Sequence, residues 1–240
     1  MRFWIIPLVM TKQIINIMAK EKEIKNENAE VVAEAVSKTE LFFKENGKKL
    51  AIALAAAVVI AAGIFCWYKF AYQPSVAEAQ GQMVSAEQSF IKSDFETALN
   101  GDGNALGFAQ IIDEYGAKAG KSVYLYAGVC ELQLGNYDSA IKYLNSYKGN
   151  DAILAARALA CLGDAYVGLE NYDKALGYFE KAAAQSDDMF AAGYLLKAGL
   201  VAEKLGQESK ALSFYKKIKD QYPQSMEGYD IDKYIGRIEK

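Results

Sequence analysis

Histidine is absent from the 240 residues. That absence removes Ser–His–Asp and Cys–His nucleophile systems, imidazole proton relays and the HExxH metal helix in one step. Proline occurs three times and glycine nineteen times, too sparsely for a collagen-like or low-complexity chain. The three cysteines, Cys66, Cys130 and Cys161, lack the imidazoles and further thiols that a structural zinc site uses. There is no excess of positive charge either. Lys and Arg number 27 against 30 Asp and Glu, for a net charge of −3, and no basic stripe marks a nucleic-acid binder.

Charge is also missing locally. Residues 50–68 run from Leu50 to Tyr68 without a charged side chain. At about 1.5 Å per residue a helix of that length spans roughly 28 Å, close to the thickness of a bilayer's hydrocarbon core. Lys48 and Lys49 bound it on one side, and Trp67, Tyr68, Lys69 and Tyr72 on the other, as at a headgroup interface. Lys38, Lys44, Lys48 and Lys49 precede the run, whereas Lys69 alone follows within a similar distance. The positive-inside rule therefore places residues 1–49 in the cytoplasm and residues 69–240 outside. A cleaved signal peptide fits poorly, because a long charged region comes first. Phe65 before Cys66 disfavours lipidation of that cysteine. The expectation is one uncleaved transmembrane helix over 50–68.

Residues 1–19 read as a leader of doubtful translation. Phe3–Met10 is apolar but interrupted by Pro7, and Met18-Ala-Lys-Glu-Lys is a more ordinary start. Residues 20–49 read as a charged helix with Val32, Val36, Thr39 and Phe43 at helical spacing. Charge divides with the apolar run. Residues 1–49 carry nine basic and seven acidic side chains, and residues 69–240 carry 18 and 23.

The outer part repeats. Gly135-Asn-Tyr-Asp-Ser-Ala140, Glu170-Asn-Tyr-Asp-Lys-Ala175 and Gly206-Gln-Glu-Ser-Lys-Ala211 align, and a glycine stands twelve residues before each alanine: Gly128, Gly163 and Gly199. Small residues at that offset let two helices cross closely. Leu159, Leu162, Tyr166, Leu176, Phe179 and Ala182 supply an apolar face around them. Gly135 and Gly206 suit the left-handed residue that ends a helix, and Asn136 and Asn171 suit the following cap. Residues 76–118 form a degenerate copy, in which Ser93-Asp-Phe-Glu-Thr-Ala98 mirrors the later turns. Asn100-Gly-Asp-Gly-Asn104 should interrupt its second helix, with helical spacing resuming through Leu106, Phe108, Ile111, Ile112 and Tyr115. Ser225 should cap a last helix over 224–240 carrying Tyr229, Tyr234, Ile235 and Ile238.

This pattern resembles the tetratricopeptide repeat family, whose unit of about 34 residues is a helix–turn–helix. The family's small first-helix position matches Gly128, Gly163 and Gly199, preceded by Ala127, Leu162 and Ala198. Its aromatic position matches Tyr166, with Glu131 and Ala202 in the other copies. Its small second-helix position matches Ala140, Ala175 and Ala211, followed by bulky Leu144, Phe179 and Tyr215. Its late proline matches Pro223, with Ala152 and Asp187 elsewhere. The resemblance covers residues 121–223 as three repeats. It implies an all-α fold, a single transmembrane helix followed by an α-solenoid, in which stacked pairs bury what one pair cannot.

The resemblance also implies a partner-binding inner surface. In register, its lining positions are Leu125, Val129, Leu132, Arg157, Asp164, Val167, Leu196, Leu200 and Lys204. Chaperone-binding members grip a terminal carboxylate with Lys and Asn. The corresponding positions here are Leu125, Val129, Ala160, Asp164, Leu196 and Leu200, which suit an extended or helical apolar segment better. An anchor followed by such repeats resembles the bacterial ancillary Sec-translocon subunit family. The Gly101–Asn104 loop and Tyr222-Pro-Gln-Ser225 are similar to membrane-bound repeat proteins of Bacteroides-type bacteria. The implied role is a non-enzymatic scaffold in the bacterial inner membrane, single-pass, with a periplasmic array that binds a polypeptide at the translocon or during export. The alternative is an envelope-biogenesis or cell-division adaptor, and self-association stays open.

No catalytic, cofactor or metal site is expected. Asn100–Asn104 alternates oxygen ligands, but Ala105 and Ile111 replace the Gly and Glu that a calcium loop needs at its sixth and twelfth positions. The pairs Asp113–Glu114, Asp187–Asp188 and Asp230–Asp232 read as solvated faces. Cys130 and Cys161 read as small buried apolar residues, with a disulfide between neighbouring first helices left open. Nothing matches a phosphate-cradling loop, so neither nucleic acid nor a small-molecule substrate is expected as a partner.

Overall fold

The computed structural model describes residues 6–186 and 189–240, the side chains of 6–35 and 38 excepted. The readings of residues 1–5, of the Val32 side chain and of the Asp187–Asp188 pair lie outside the described residues. The chain divides into two units, residues 1–68 and 69–240, taken here one at a time.

The first unit is one helix, α1, Ile6–Trp67. It runs through residue 49, so the charged and apolar segments differ in composition and not in secondary structure. Its apolar part is exposed: Ile52, Leu54 and Val59 are each 70% accessible. Val36 and Phe43 are exposed too. The apolar stretch has a mean hydropathy of 2.6, with none of it buried. Among the described residues it is the one helical stretch long and apolar enough to cross a membrane, by length and composition.

The second unit is a run of antiparallel helix pairs. After a π-helical turn, Tyr68–Tyr72, come α2 (Gln73–Ile91), α3 (Phe95–Asn100) and α4 (Phe108–Tyr115). A 3₁₀ turn, Gly116–Ala119, leads on to α5 (Ser122–Gln133) and α6 (Tyr137–Ser146). Then follow α7 (Ala152–Gly168) with α8 (Tyr172–Gln185), α9 (Phe190–Lys204) with α10 (Glu208–Gln221), and α11 (Met226–Ile238). Paired helices pack on each other, and the second helix of a pair packs on the next, as α6 does on α7, α8 on α9 and α10 on α11. No strand occurs among the described residues.

The three repeated glycines decide how closely each pair packs. A Cβ on Gly128 would lie 2.7 Å from Leu144 Cγ, one on Gly163 2.6 Å from the Phe179 ring, and one on Gly199 2.2 Å from the Tyr215 ring. In each pair the bulky side chain of the second helix thus lies directly on the bare backbone of the first. Ala140, Ala175 and Ala211 are fully buried one turn earlier. Leu144, Phe179 and Tyr215 are 2%, 1% and 0% exposed, and burying such a side chain is worth about 1.5–3 kcal/mol. That exceeds the roughly 0.5–1 kcal/mol that a glycine costs inside a helix, so the contact wins. In the first copy Ala86 stands where the later copies have glycine, twelve residues before buried Ala98. Here the second helix stops at Asn100. An aromatic cluster replaces the single bulky residue: Phe90 meets Phe95, Phe108 and Tyr126 edge-on, and Phe108 stacks on Tyr126 at 5.2 Å.

All four intra-pair turns share one geometry. Ser93, Gly135, Glu170 and Gly206 have φ of 61°, 81°, 55° and 71°. The next residue's amide reaches back to the first helix each time: Asp94 to Ser89, Asn136 to Glu131, Asn171 to Tyr166 and Gln207 to Ala202, at 2.8–3.0 Å. This is the six-to-one closure that satisfies the last carbonyls of a helix. The caps then differ. Asp94 and Asn171 side chains accept from Thr97 and Lys174 amides. Asn136 instead donates its side-chain amide to Glu131 at 2.8 Å. Leu106 lies before α4 and not on it, because Gly107 is wedged against Leu99: a Cβ there would meet the Leu99 carbonyl oxygen at 2.3 Å.

Three apolar clusters result, one among α2–α5, one joining α5–α8 and the largest from α7 to α11. The last helix is held by Ile231 and Ile235, and its N-terminus is capped by Ser225, whose hydroxyl accepts from Gly228 at 3.0 Å. Tyr229, carried by this last helix, is 74% exposed, because the buried register of α11 runs through Ile231 and Ile235.

Two substitutions test this account by chemical denaturation. Gly163→Val should lower stability by about 1–3 kcal/mol through overpacking against Phe179. Glu170→Gly should raise stability by about 0.5–1 kcal/mol. Relief of the left-handed strain of a side chain, about 1–2 kcal/mol, outweighs the added flexibility of the unfolded chain. Gly135→Ala should go the other way by a similar amount.

Candidate functional site: the face of the first helices

The first helices α5 and α7 contact each other, as do α9 and α11. An ion pair links α7 to α9: Lys197 Nζ lies 2.7 Å from Asp164. The residues expected to line a partner groove do not form one continuous open surface. Arg157, Leu200 and Lys204 are exposed, Leu200 by 42%. Val129, Leu132, Asp164, Val167 and Leu196 are half-buried. Val129 and Leu132 pack against the core that joins α5 to α7, while Val167 and Leu196 pack against the C-terminal core. Leu125 is a correction: at 6% exposure it belongs to the core beneath this face and offers a partner nothing. Periodicity places a residue on a helix, but the neighbouring repeat decides how much of it remains open.

Most charge on this face is already engaged. Asp164 holds Lys197, whose ammonium also lies 5.7 Å over the Phe179 ring. Lys204 lies 5.6 Å over Tyr172. Glu203 accepts from the Tyr215 hydroxyl at 2.5 Å and from Arg237 at 2.6 Å, so one carboxylate ties α9 to α10 and α11. Burial, and then the Glu203 bond, push the Tyr215 hydroxyl well above the usual tyrosine range.

The structure adds an apolar mouth that periodicity did not reveal. A cavity of about 330 Å³ opens between α7 and the N-terminal ends of α9 and α11, lined by Arg157, Met189, Phe190, Lys197, Met226 and Glu227 among others. Met189, Phe190 and Met226 are 68%, 49% and 85% exposed. The signal was present in the sequence as apolar residues on the outward register beside Ser225 and at the start of α9. A second cavity, of about 230 Å³, lies between α6 and α8, beside Tyr147, Leu162 and Tyr178.

The other chemical candidates have structural employment. The Asp102 carboxylate accepts from the Asn104 and Ala105 amides at 2.9 and 2.8 Å, which holds its pKa below the ordinary value. The carboxylate thereby ties down the backbone of its own loop. Asp230 and Asp232 pair with Lys233 and Lys219, both at 2.7 Å. Among the described residues no three His, Cys, Asp or Glu gather as a metal site. Cys130 and Cys161 are free buried thiols, 0% and 3% exposed. Burial pushes the Cys130 thiol up to about 12. It raises that of Cys161 as well, against the opposing charge of Arg157. The thiolate is the reactive form. Native protein at pH 8 should therefore label slowly with a maleimide at both positions, and denaturant should release both, as counted by mass spectrometry.

Residues 162–225 and 122–151 each match a tetratricopeptide repeat family. No curated protein matches the chain. Among solved structures, one described as a crystal structure of MamA is 22% identical, with a TM-score of 0.51, over 64% of this chain and 81% of that one. A second MamA structure is 20% identical, with a TM-score of 0.52, over 68% and 80%. At such identity these likenesses speak to the fold alone, and they agree with the stacked helix pairs. Residues 122–151 and 162–225 are tetratricopeptide repeats.

Proposed function

We propose that this protein is a membrane-tethered interaction scaffold. The apolar stretch of α1 anchors it in a bacterial inner membrane, with residues 1–49 in the cytoplasm and the repeats in the periplasm. There the array holds a partner polypeptide beside the membrane, at the Sec translocon or among newly exported chains. The observation that carries the reading is the pairing of two surfaces. A fully exposed apolar helix of spanning length precedes an array whose first-helix face keeps Leu200, Met189 and Met226 open. Exposed apolar area of this kind marks an interaction site. Tethering raises the effective concentration of a partner without any catalytic group.

A photo-crosslinking residue at Leu200, in intact membranes, should yield adducts with other polypeptides. The same residue at Lys217 on α10 should yield far fewer, and deletion of residues 50–68 should abolish the Leu200 adducts. Adducts confined to a second copy of the chain would favour a self-associating envelope adaptor, and no adducts would end the groove reading.

A further inference from the structure

The cavity between α6 and α8 exists because one helix stops early. α6, α8 and α10 all start three residues before their buried alanines, Ala140, Ala175 and Ala211. α8 and α10 then run for 14 residues, whereas α6 runs for 10. The difference amounts to about one helical turn. At that point the chain leaves the helix, and Tyr147 folds back over Gly149 so closely that a Cβ there would run into the Tyr147 hydroxyl. The slot left open has a volume of about 230 Å³. Its floor is aliphatic: Leu144 from α6, with Ala155, Leu159 and Leu162 from α7. Tyr147 and Tyr178 wall it, but neither has much ring face to offer. Tyr147 is 8% exposed, and Tyr178 is stacked on Tyr166 at 5.3 Å, with the Lys181 ammonium 5.2 Å from its ring centre. The rim carries Asn145, Lys148 and Gln185, whose side chains have no hydrogen bond or ion pair among the described residues. No carboxylate is among the described residues that line the slot.

We infer that this slot binds a medium-chain fatty acid, with the aliphatic chain on Leu144, Leu159 and Leu162 and the carboxylate at Lys148. Three observations select that class. The first is size. A leucine-lined cavity of about 150 Å³ holds benzene, and by the same measure about 230 Å³ holds a chain of roughly eight or nine carbons. The second is the floor, made of methyl and methylene groups. An aliphatic chain laid on it removes apolar surface from water, whereas an aromatic body finds little ring face to stack on. The third is the rim, whose one charge is positive. Lys148 and the two side-chain amides can donate to a carboxylate, and an ammonium head would meet Lys148 and lose affinity. The slot opens between two second helices, and the inference does not depend on what binds the first-helix face.

The test uses the full chain in lipid nanodiscs and octanoate carrying a photoreactive diazirine, with labelled peptides mapped by mass spectrometry. The exposed apolar stretch of α1 should label without saturating and serves as the reference. Peptides holding Leu159, Leu162 and Tyr178 should label saturably. Unlabelled fatty acids should protect them, each added methylene strengthening protection about two- to four-fold. The gain should stop at about nine carbons, where the slot is full. Octylamine should compete about ten-fold more weakly than octanoate, and Lys148→Glu should reverse that order. Ala155→Leu, which places a side chain in the slot, should cut this labelling about ten-fold and leave the α1 label unchanged. Circular dichroism checks that the variant is folded. Slot labelling that does not saturate, or that is insensitive to Ala155→Leu, overturns the site. Protection that keeps rising with chain length reports partition into lipid and overturns it too. Octylamine as potent as octanoate removes the carboxylate and with it the fatty acid.

Discussion

The repeat unit depends on one contact repeated three times, a bulky side chain seated on a bare glycine. Gly128 receives Leu144, Gly163 receives Phe179 and Gly199 receives Tyr215. A Cβ at any of these glycines would enter the space its partner fills, so the two helices of a pair would have to separate or the bulky residue turn out. Either change exposes a side chain that is now at most 2% accessible. Because each second helix also packs on the next pair, the spacing set by one contact is passed along the stack. The cooperative unit is therefore the array and not the pair.

The turns show how much strain that arrangement tolerates. Two of the four turn residues are glycines, but Ser93 and Glu170 adopt the same left-handed geometry with side chains attached. The backbone closure that follows is the same in all four, so hydrogen bonding to the end of the first helix outweighs the local cost. The first copy carries a further departure. Its second helix stops at Asn100 and resumes at Phe108, with the Asp102 carboxylate bonding the intervening backbone. An aromatic cluster around Phe90 and Phe108 fills the volume that one bulky residue fills elsewhere.

Packing engages several of the groups in the array that could react. Both thiols of the array are buried and raised in pKa. Of the carboxylates on the first-helix surface, Asp164 is bound to Lys197, and Glu203 to Tyr215 and Arg237. What stays open is apolar and weakly charged, and it is concentrated where α9 and α11 begin.

Sequence alone determined the helical class, the repeat register and the positions of closest approach. Each is local: a spacing of twelve residues, a small residue, a turn signal. It also located the apolar stretch and the interrupted helix of the first copy, since turn residues act within a few positions. It did not determine which residues on the first-helix face remain accessible. Leu125 lies at a lining position by register and is buried, because its exposure depends on the core between α5 and α7. Tyr229 lies at an apolar position by register and is exposed, because Ile231 and Ile235 set the angle at which α11 docks. The mouth at Met189 and Met226 joins residues from different repeats, and only the docking of α11 beside α9 and α7 brings them together. Accessibility is a property of neighbours distant in sequence, and the tertiary structure decided it.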